Sequence, residues 1–185
     1  GRRAMLGTNP LAIGVPATPR PFVFDMATSV VSMGKIHDHA ARGASIPEGW
    51  ALDAEGNPTA DATSAKAGAI APFGGAKGYG LGLAFEVLVA GLTASALGRD
   101  VRGTLDSTEP CNKGDVFIVL EPAAGMAGPI SAFLDDLRAS PPADPEHPVR
   151  IPGDRAAAER ELKLGADINL PEAVWQAIRA LAADA

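Results

Sequence analysis

Near its start the chain alternates short apolar runs with prolines, then changes to a helical rhythm. Leu11–Val15 and Phe22–Phe24 are β-rich runs separated by Pro16, Pro19 and Pro21. Proline removes a ladder donor, so the spacing predicts two neighbouring or edge strands joined by an extended crossing. Asp25, Met26, Ala27, Thr28 and Ser29 follow, and then Val30, Met33, Ile36 and Ala40 recur at near-helical intervals. Thr28 or Ser29 is the expected N-cap, because a hydroxyl there accepts from the free amides of the first turn. Gly43 is the expected stop. A strand, a polar turn and a helix start in that order make a place where a ligand can sit.

Residues 44–75 carry turn chemistry throughout: Pro47, Gly49, Asp53, Gly56, Asn57, Pro58, Asp61, Pro72, Gly74 and Gly75. A long irregular excursion is expected, with a brief helical turn over Ala65–Ala71; such loops usually lie over a functional cleft. From Lys77 the chain sets Gly78, Gly80, Gly82 and Gly91 among Leu81, Ala84, Phe85, Leu88 and Leu92. Each helical glycine costs up to about 1 kcal/mol against alanine. The pattern therefore predicts close packing by another backbone or by a cofactor.

Leu81–Leu97 holds Glu86, Thr93 and Ser95 and falls short of the roughly 20 apolar residues of a membrane span, which predicts a buried core helix instead. Val116–Leu120 predicts a buried strand. Ile130, Phe133, Leu134 and Leu137 trace one helical face behind Pro129. Ser140–Pro148, with four prolines, is the clearest linker. Asp154 is expected to cap a helix that runs through Lys163 and stops near Gly165. A last helix from Pro171 is expected to bury Val174, Ile178 and Leu181, with Trp175 alongside. The pattern predicts an α/β (α+β) domain over residues 1–140, a Pro-rich linker at 141–150 and a helical C-terminal segment at 151–185. That segment is expected to pack back on the core, because short isolated helices are marginal in water.

Composition narrows the function. The chain has 185 residues, 46% hydrophobic and 21% charged, with a formal net charge of −6 and 5% aromatics. Without clustered basic charge or stacking platforms, nucleic acid is not an expected partner, and neither is a membrane. The single cysteine, Cys111, allows no intrachain disulfide and fits a reducing, cytoplasmic setting. His37 and His39 lie two apart, which on a helix points them to different sides, so no metal site is expected. A Walker loop fails at Gly78, directly after Lys77. The Rossmann fingerprint fails because Gly78, Gly80 and Gly82 are spaced two and two. No Gly-x-Ser-x-Gly elbow is present.

Three local features remain. Asp25, at a strand end, could accept from sugar hydroxyls or an amide, or could be a carboxylate favoured by a helix dipole. Lys77 could hold a phosphate or a substrate carboxylate, or be merely solvated. Gly153-Asp154-Arg155 could present amides and a guanidinium to a phosphate, or could be plain capping.

Their order adds information. Gly7-Thr8-Asn9-Pro10, Phe24-Asp25-Met26-Ala27-Thr28-Ser29 and Gly34-Lys35-Ile36 are followed by Ile46-Pro47-Glu48-Gly49-Trp50-Ala51-Leu52-Asp53. Gly74-Gly75-Ala76-Lys77-Gly78-Tyr79-Gly80-Leu81 and Ile151-Pro152-Gly153-Asp154-Arg155 complete the series. Together they resemble the type-2 malate/L-lactate dehydrogenase family, in its C-terminal portion. The resemblance implies a mixed-sheet, non-Rossmann fold, a homodimer, and hydride transfer between NAD or NADP and a 2-hydroxy/2-oxo acid. It places cofactor contacts on Pro21, Phe22, Val23, Phe24, Asp25, Met26 and Ala27, on Ala76 and Lys77, and on Gly153, Asp154 and Arg155.

The sequence also departs from the family. Asp154 stands where Glu is usual, and Asp115 where His often follows Gly114. The family's catalytic His and substrate-binding Arg lie upstream of the Gly-Thr-Asn-Pro motif. Here six residues precede Gly7, neither Arg2 nor Arg3 matches, and no His occurs among them. The expectation is that this chain holds no catalytic residue and serves as part of a longer enzyme; the alternative is an inactive nucleotide-binding or assembly fragment.

Overall fold

A computed structural model describes residues 3–104 and 108–183, so Arg2 lies outside the described residues. The elements are β1 (Leu11–Val15), β2 (Phe22–Met26), α1 (Met33–Ala41), β3 (Ala51–Leu52), β4 (Pro58–Thr59), α2 (Ala62–Ala67), β5 (Ala69–Ile70), α3 (Ala76–Thr93), α4 (Ala127–Ala139), α5 (Asp154–Lys163) and α6 (Glu172–Ala183), with a 3-10 turn at Gly98–Asp100. Two compact units form. One holds the described residues up to Gly14 together with Phe24–Ala124, the other Val15–Val23 together with those from Gly125 onward. The chain leaves the first unit within β1 and returns to it within β2.

In the first unit the core is Val31, Ile36, Ile46, Ala51, Ala62 and Ala65, with Ile36 fully buried. Helix α1 starts later than the sequence suggests: Ser32 is its N-cap and accepts from the Lys35 amide. Thr28 and Ser29 do not cap it. Their hydroxyls donate to the carbonyls of Thr8 and Val31 respectively. The helix closes through Arg42, and Gly43 follows in the left-handed region, as the pattern predicts.

Residues 44–75 are not an irregular excursion. They contain an antiparallel sheet in the order β4-β3-β5, with Ala51 opposite Thr59 and Ile70. The helical turn expected over Ala65–Ala71 is α2, four residues earlier at its end, and Ala69–Ile70 is strand. Asp61 caps α2 by accepting from the Thr63 and Ser64 amides. Two-residue strands and a core of small alanines carry too little periodicity for the sequence to reveal.

Helix α3 is apolar on all sides, yet Val87, Leu88 and Leu92 are exposed, so it is not the buried core helix expected. No helix among the described residues is long and apolar enough to cross a membrane. The Val116–Leu120 run is not a buried strand either: it has no regular structure, and Phe117 and Val119 are 88% and 93% exposed. Apolar composition predicts a place that can be covered, and the described residues supply no covering element. Two of the α3 glycines do meet close neighbours. A Cβ on Gly82 would stand 2.9 Å from Thr28 Oγ1, and one on Gly78 would collide with the Phe73 carbonyl. Gly80 and Gly91 face open space.

In the second unit Ile151 and Leu134 are buried. The segment before β2 docks on α4, where the Thr18 amide donates to Ser131 Oγ at 2.7 Å. Asp154 is the first residue of α5, and Gly153, not Asp154, occupies the cap position. Arg138 of α4 donates from Nε and Nη2 to the two Asp154 oxygens, at 3.0 and 2.9 Å. Helix α6 runs as predicted from Pro171, but Val174, Trp175, Ile178 and Leu181 are all exposed, so the expected burial is absent.

Two predictions follow from this packing. Gly80→Ala should raise stability by up to about 1 kcal/mol in denaturant unfolding, through helix propensity alone. Gly82→Ala, pressed on the buried Thr28, should lower it by about 1–3 kcal/mol; equal effects at both positions would contradict the packing. The second prediction concerns acid. Arg138 hydrogen bonds hold the Asp154 carboxyl below its ordinary value of 3.8, against partial burial and with help from the Ile151 amide. A depressed carboxyl stabilises the fold above that ordinary value and loses its contribution as pH falls through the folded one. The stability gap between wild type and Arg138→Met should therefore be full near neutral pH and shrink in thermal melts below pH 3.8. A gap that persists unchanged into strong acid would argue against the pair.

Candidate functional site

Two helices open on a glycine of positive φ. Gly75 precedes α3 with φ 60° and ψ −126°, and Gly153 precedes α5 with φ 91° and ψ −26°. An L side chain is strained at such φ values, so glycine is required at both corners. Neither helix has a side-chain cap. The second residue of each is a cation, Lys77 in α3 and Arg155 in α5. Both are exposed, and neither makes an ion pair among the described residues. A cation in the first turn opposes the helix dipole at a cost of about 0.3–1 kcal/mol. An anion seated on the uncapped amides reverses the sign of that interaction.

A hydrogen-bond knot fixes the start of α3. The Thr28 amide and hydroxyl both donate to the Thr8 carbonyl, at 2.8 and 3.0 Å, and Thr28 is 7% exposed. The Thr28 carbonyl accepts from the Phe73 amide at 3.2 Å, and the Val30 amide donates to the Ala71 carbonyl at 2.9 Å. Asn9 Nδ2 donates to the Gly82 carbonyl at 3.0 Å and to Glu86 Oε2 at 2.8 Å. The other Glu86 oxygen accepts from the Gly98 amide. These bonds tie the turn after β2 to the residues just before α3, with the Gly7–Pro10 loop laid across both. Phe24, Asp25, Met26, Ala27, Ala76 and Lys77 thus belong to one unit.

The remaining expected site residues belong to the other. Pro21 leads into β2, Phe22 and Val23 open it, and a Cβ on Gly153 would stand 2.8 Å from the Val23 carbonyl. Asp154 is held by Arg138, and one of its oxygens also accepts from the Ile151 amide at 3.2 Å. Strand β2 carries expected site residues of both units, Phe22 and Val23 in one and Phe24 to Met26 in the other.

Sequence reasoning passed over Asn9, Glu86 and Arg138. Glu86 did give a signal, as the one acidic residue in an apolar helix; Arg138 gave none, lying 16 residues from its partner across the proline-rich segment.

Two of the three histidines are engaged elsewhere. His39 Nδ1 lies 2.8 Å from the Ser45 carbonyl, with its ring edge-on to Trp50, over which Lys35 Nζ is also placed. His147 Nδ1 is 2.7 Å from Asp144 Oδ2, and His37 is exposed on α1. Asp115 pairs with Lys113, and Cys111 is free and exposed.

Comparison with known proteins agrees with the ordered motifs. A family model described as malate/L-lactate dehydrogenase matches residues 1–179. The L-sulfolactate dehydrogenase of Methanothermobacter thermautotrophicus is 38% identical over 98% of this chain and 53% of its own. The (2R)-3-sulfolactate dehydrogenase (NADP(+)) of Chromohalobacter salexigens is 40% identical over 98% and 54%. A crystal structure of a dehydrogenase from Sinorhizobium meliloti superposes with a TM-score of 0.91 at 55% identity, covering 98% of this chain and 54% of that one. The chain therefore spans about half the length of the curated relatives it matches. The mixed arrangement of helices and small sheets, the six ordered motifs and the match over residues 1–179 lead to one conclusion: the chain belongs to the malate/L-lactate dehydrogenase family.

Proposed function

We propose that the chain binds NAD or NADP through Pro21–Ala27, Ala76–Lys77 and Gly153–Arg155, and serves in hydride transfer between that cofactor and a 2-hydroxy/2-oxo acid such as malate or lactate. One observation carries the reading: two uncapped helix starts, each on a left-handed glycine and each followed by an unpaired cation. The presence of an NADP(+)-dependent enzyme among the relatives supports the same cofactor class.

Bound NAD or NADP would supply the hydride donor or acceptor. The roles of this chain's residues are binding and orientation. Lys77 and Arg155 neutralise phosphate charge, while the amides of the two first turns give it hydrogen-bond donors. Asp25, exposed near the end of β2, accepts from ribose hydroxyls or the nicotinamide amide. The proton donor and the cation that fixes the substrate carboxylate are assigned to polypeptide matching the other half of the relatives: His39 and His147 are already engaged, and His37 lies exposed on α1, outside the stretches named above. A homodimer belongs to the same proposal, since the exposed apolar flank of α3 is of a kind that association covers.

Fluorescence titration with NADPH and NADH tests the binding. Lys77→Ala and Arg155→Ala should each weaken affinity by about tenfold, the scale of one charge-assisted hydrogen bond, and Asp25→Ala should also weaken it. Wild-type affinity in all three variants would refute the assignment. Sedimentation should give twice the chain mass; a monomer at micromolar concentration would refute the dimer.

A further inference from the structure

The carboxylate of Asp154 does not face outward beside Arg155. Both oxygens are taken by the Arg138 guanidinium, and one also accepts from the Ile151 amide. The Asp154 amide in turn donates to the Ile151 carbonyl at 3.2 Å, so the Ile151–Asp154 turn is closed from both ends. Ile151 is buried, and the Asp154 side chain is 28% exposed. Inside that turn, Gly153 lies so close to Val23 that no side chain fits. Arg138 also pairs with Asp135 on its own helix, which holds the guanidinium in place. The planar fork of an arginine fixes a carboxylate in both position and orientation, which a point charge does not.

Resting on the cofactor reading above, we propose that Asp154 is a positioning residue: clamped by Arg138, it locks the Ile151–Asp154 turn and so presents Arg155 to a cofactor phosphate. The sign of its own charge separates this role from direct contact. A carboxylate beside an anionic ligand repels it, so removing the charge would tighten binding if Asp154 acted only through the field. A strut behaves in the opposite way.

The test is titration of NADPH into the wild-type chain, Asp154→Asn, Arg138→Met, Arg155→Ala and the double variant Asp154→Asn/Arg155→Ala. Asp154→Asn and Arg138→Met should each weaken binding by about tenfold, with partial recovery in Arg138→Lys. The double variant should bind no more weakly than Arg155→Ala, because the strut acts through Arg155. Tighter binding by Asp154→Asn, or losses that multiply in the double variant, would overturn the proposal.

Amide hydrogen exchange over residues 151–157 without ligand gives an independent reading. It should accelerate in Asp154→Asn and Arg138→Met but not in Arg155→Ala. If the wild type binds neither NADPH nor NADH, the cofactor reading falls and this proposal with it. Binding with unaltered exchange would overturn the proposal alone.

Discussion

A lysine or arginine in the first turn of a helix works against the dipole of that helix, and an anion at the same turn offsets it; the Asp154 carboxylate stands in the first turn of α5, and no acidic side chain stands in that of α3. Here Lys77 and Arg155 stand in the same place, each two residues past a left-handed glycine and with no side-chain cap nearby. The cost is small for one site, about 0.3–1 kcal/mol. What gives it meaning is how firmly each corner is built. Thr28, Asn9 and Glu86 fix the start of α3, and Arg138, Asp154 and Ile151 fix the start of α5. Loose corners would let the cations swing away from the helix ends.

The two corners are built by different means. Around α3 the partners are mostly neutral, with backbone carbonyls meeting a threonine and an asparagine, and Glu86 is the only charge. Around α5 the work is done by an ion pair that is partly exposed, and it is worth more than a typical surface pair only because the guanidinium grips both oxygens. Strand β2 joins the two sets of residues through the covalent chain itself.

Legibility in the sequence followed the length and periodicity of each element. β1, α4 and α5 are long enough for a proline, an alternation or a helical face to announce them, and they fall where the sequence puts them. Asp25 and Met26 extend β2 past its apolar run, because a polar residue inside a strand reads as a turn. The small sheet of β3, β4 and β5 was missed for the reason that two-residue strands have no period. Phe117–Leu120 and the apolar faces of α3 and α6 misled in the other direction: their composition implies burial, and the described residues leave them exposed. As for the candidate site, Asp25, Lys77 and Arg155 could be named from motif order. Their supports could not, because Asn9 reaches Glu86 across 77 residues and Arg138 reaches Asp154 across 16. No local pattern encodes such pairs.

The most direct measurement is the backbone amide spectrum of the isotopically labelled chain during titration with NADPH. The account predicts that amides at the start of α3, from Ala76 to Gly78, and at the start of α5, from Arg155 to Ala157, both shift as dinucleotide is added. Shifts confined to other regions, or none at saturating dinucleotide, would contradict it.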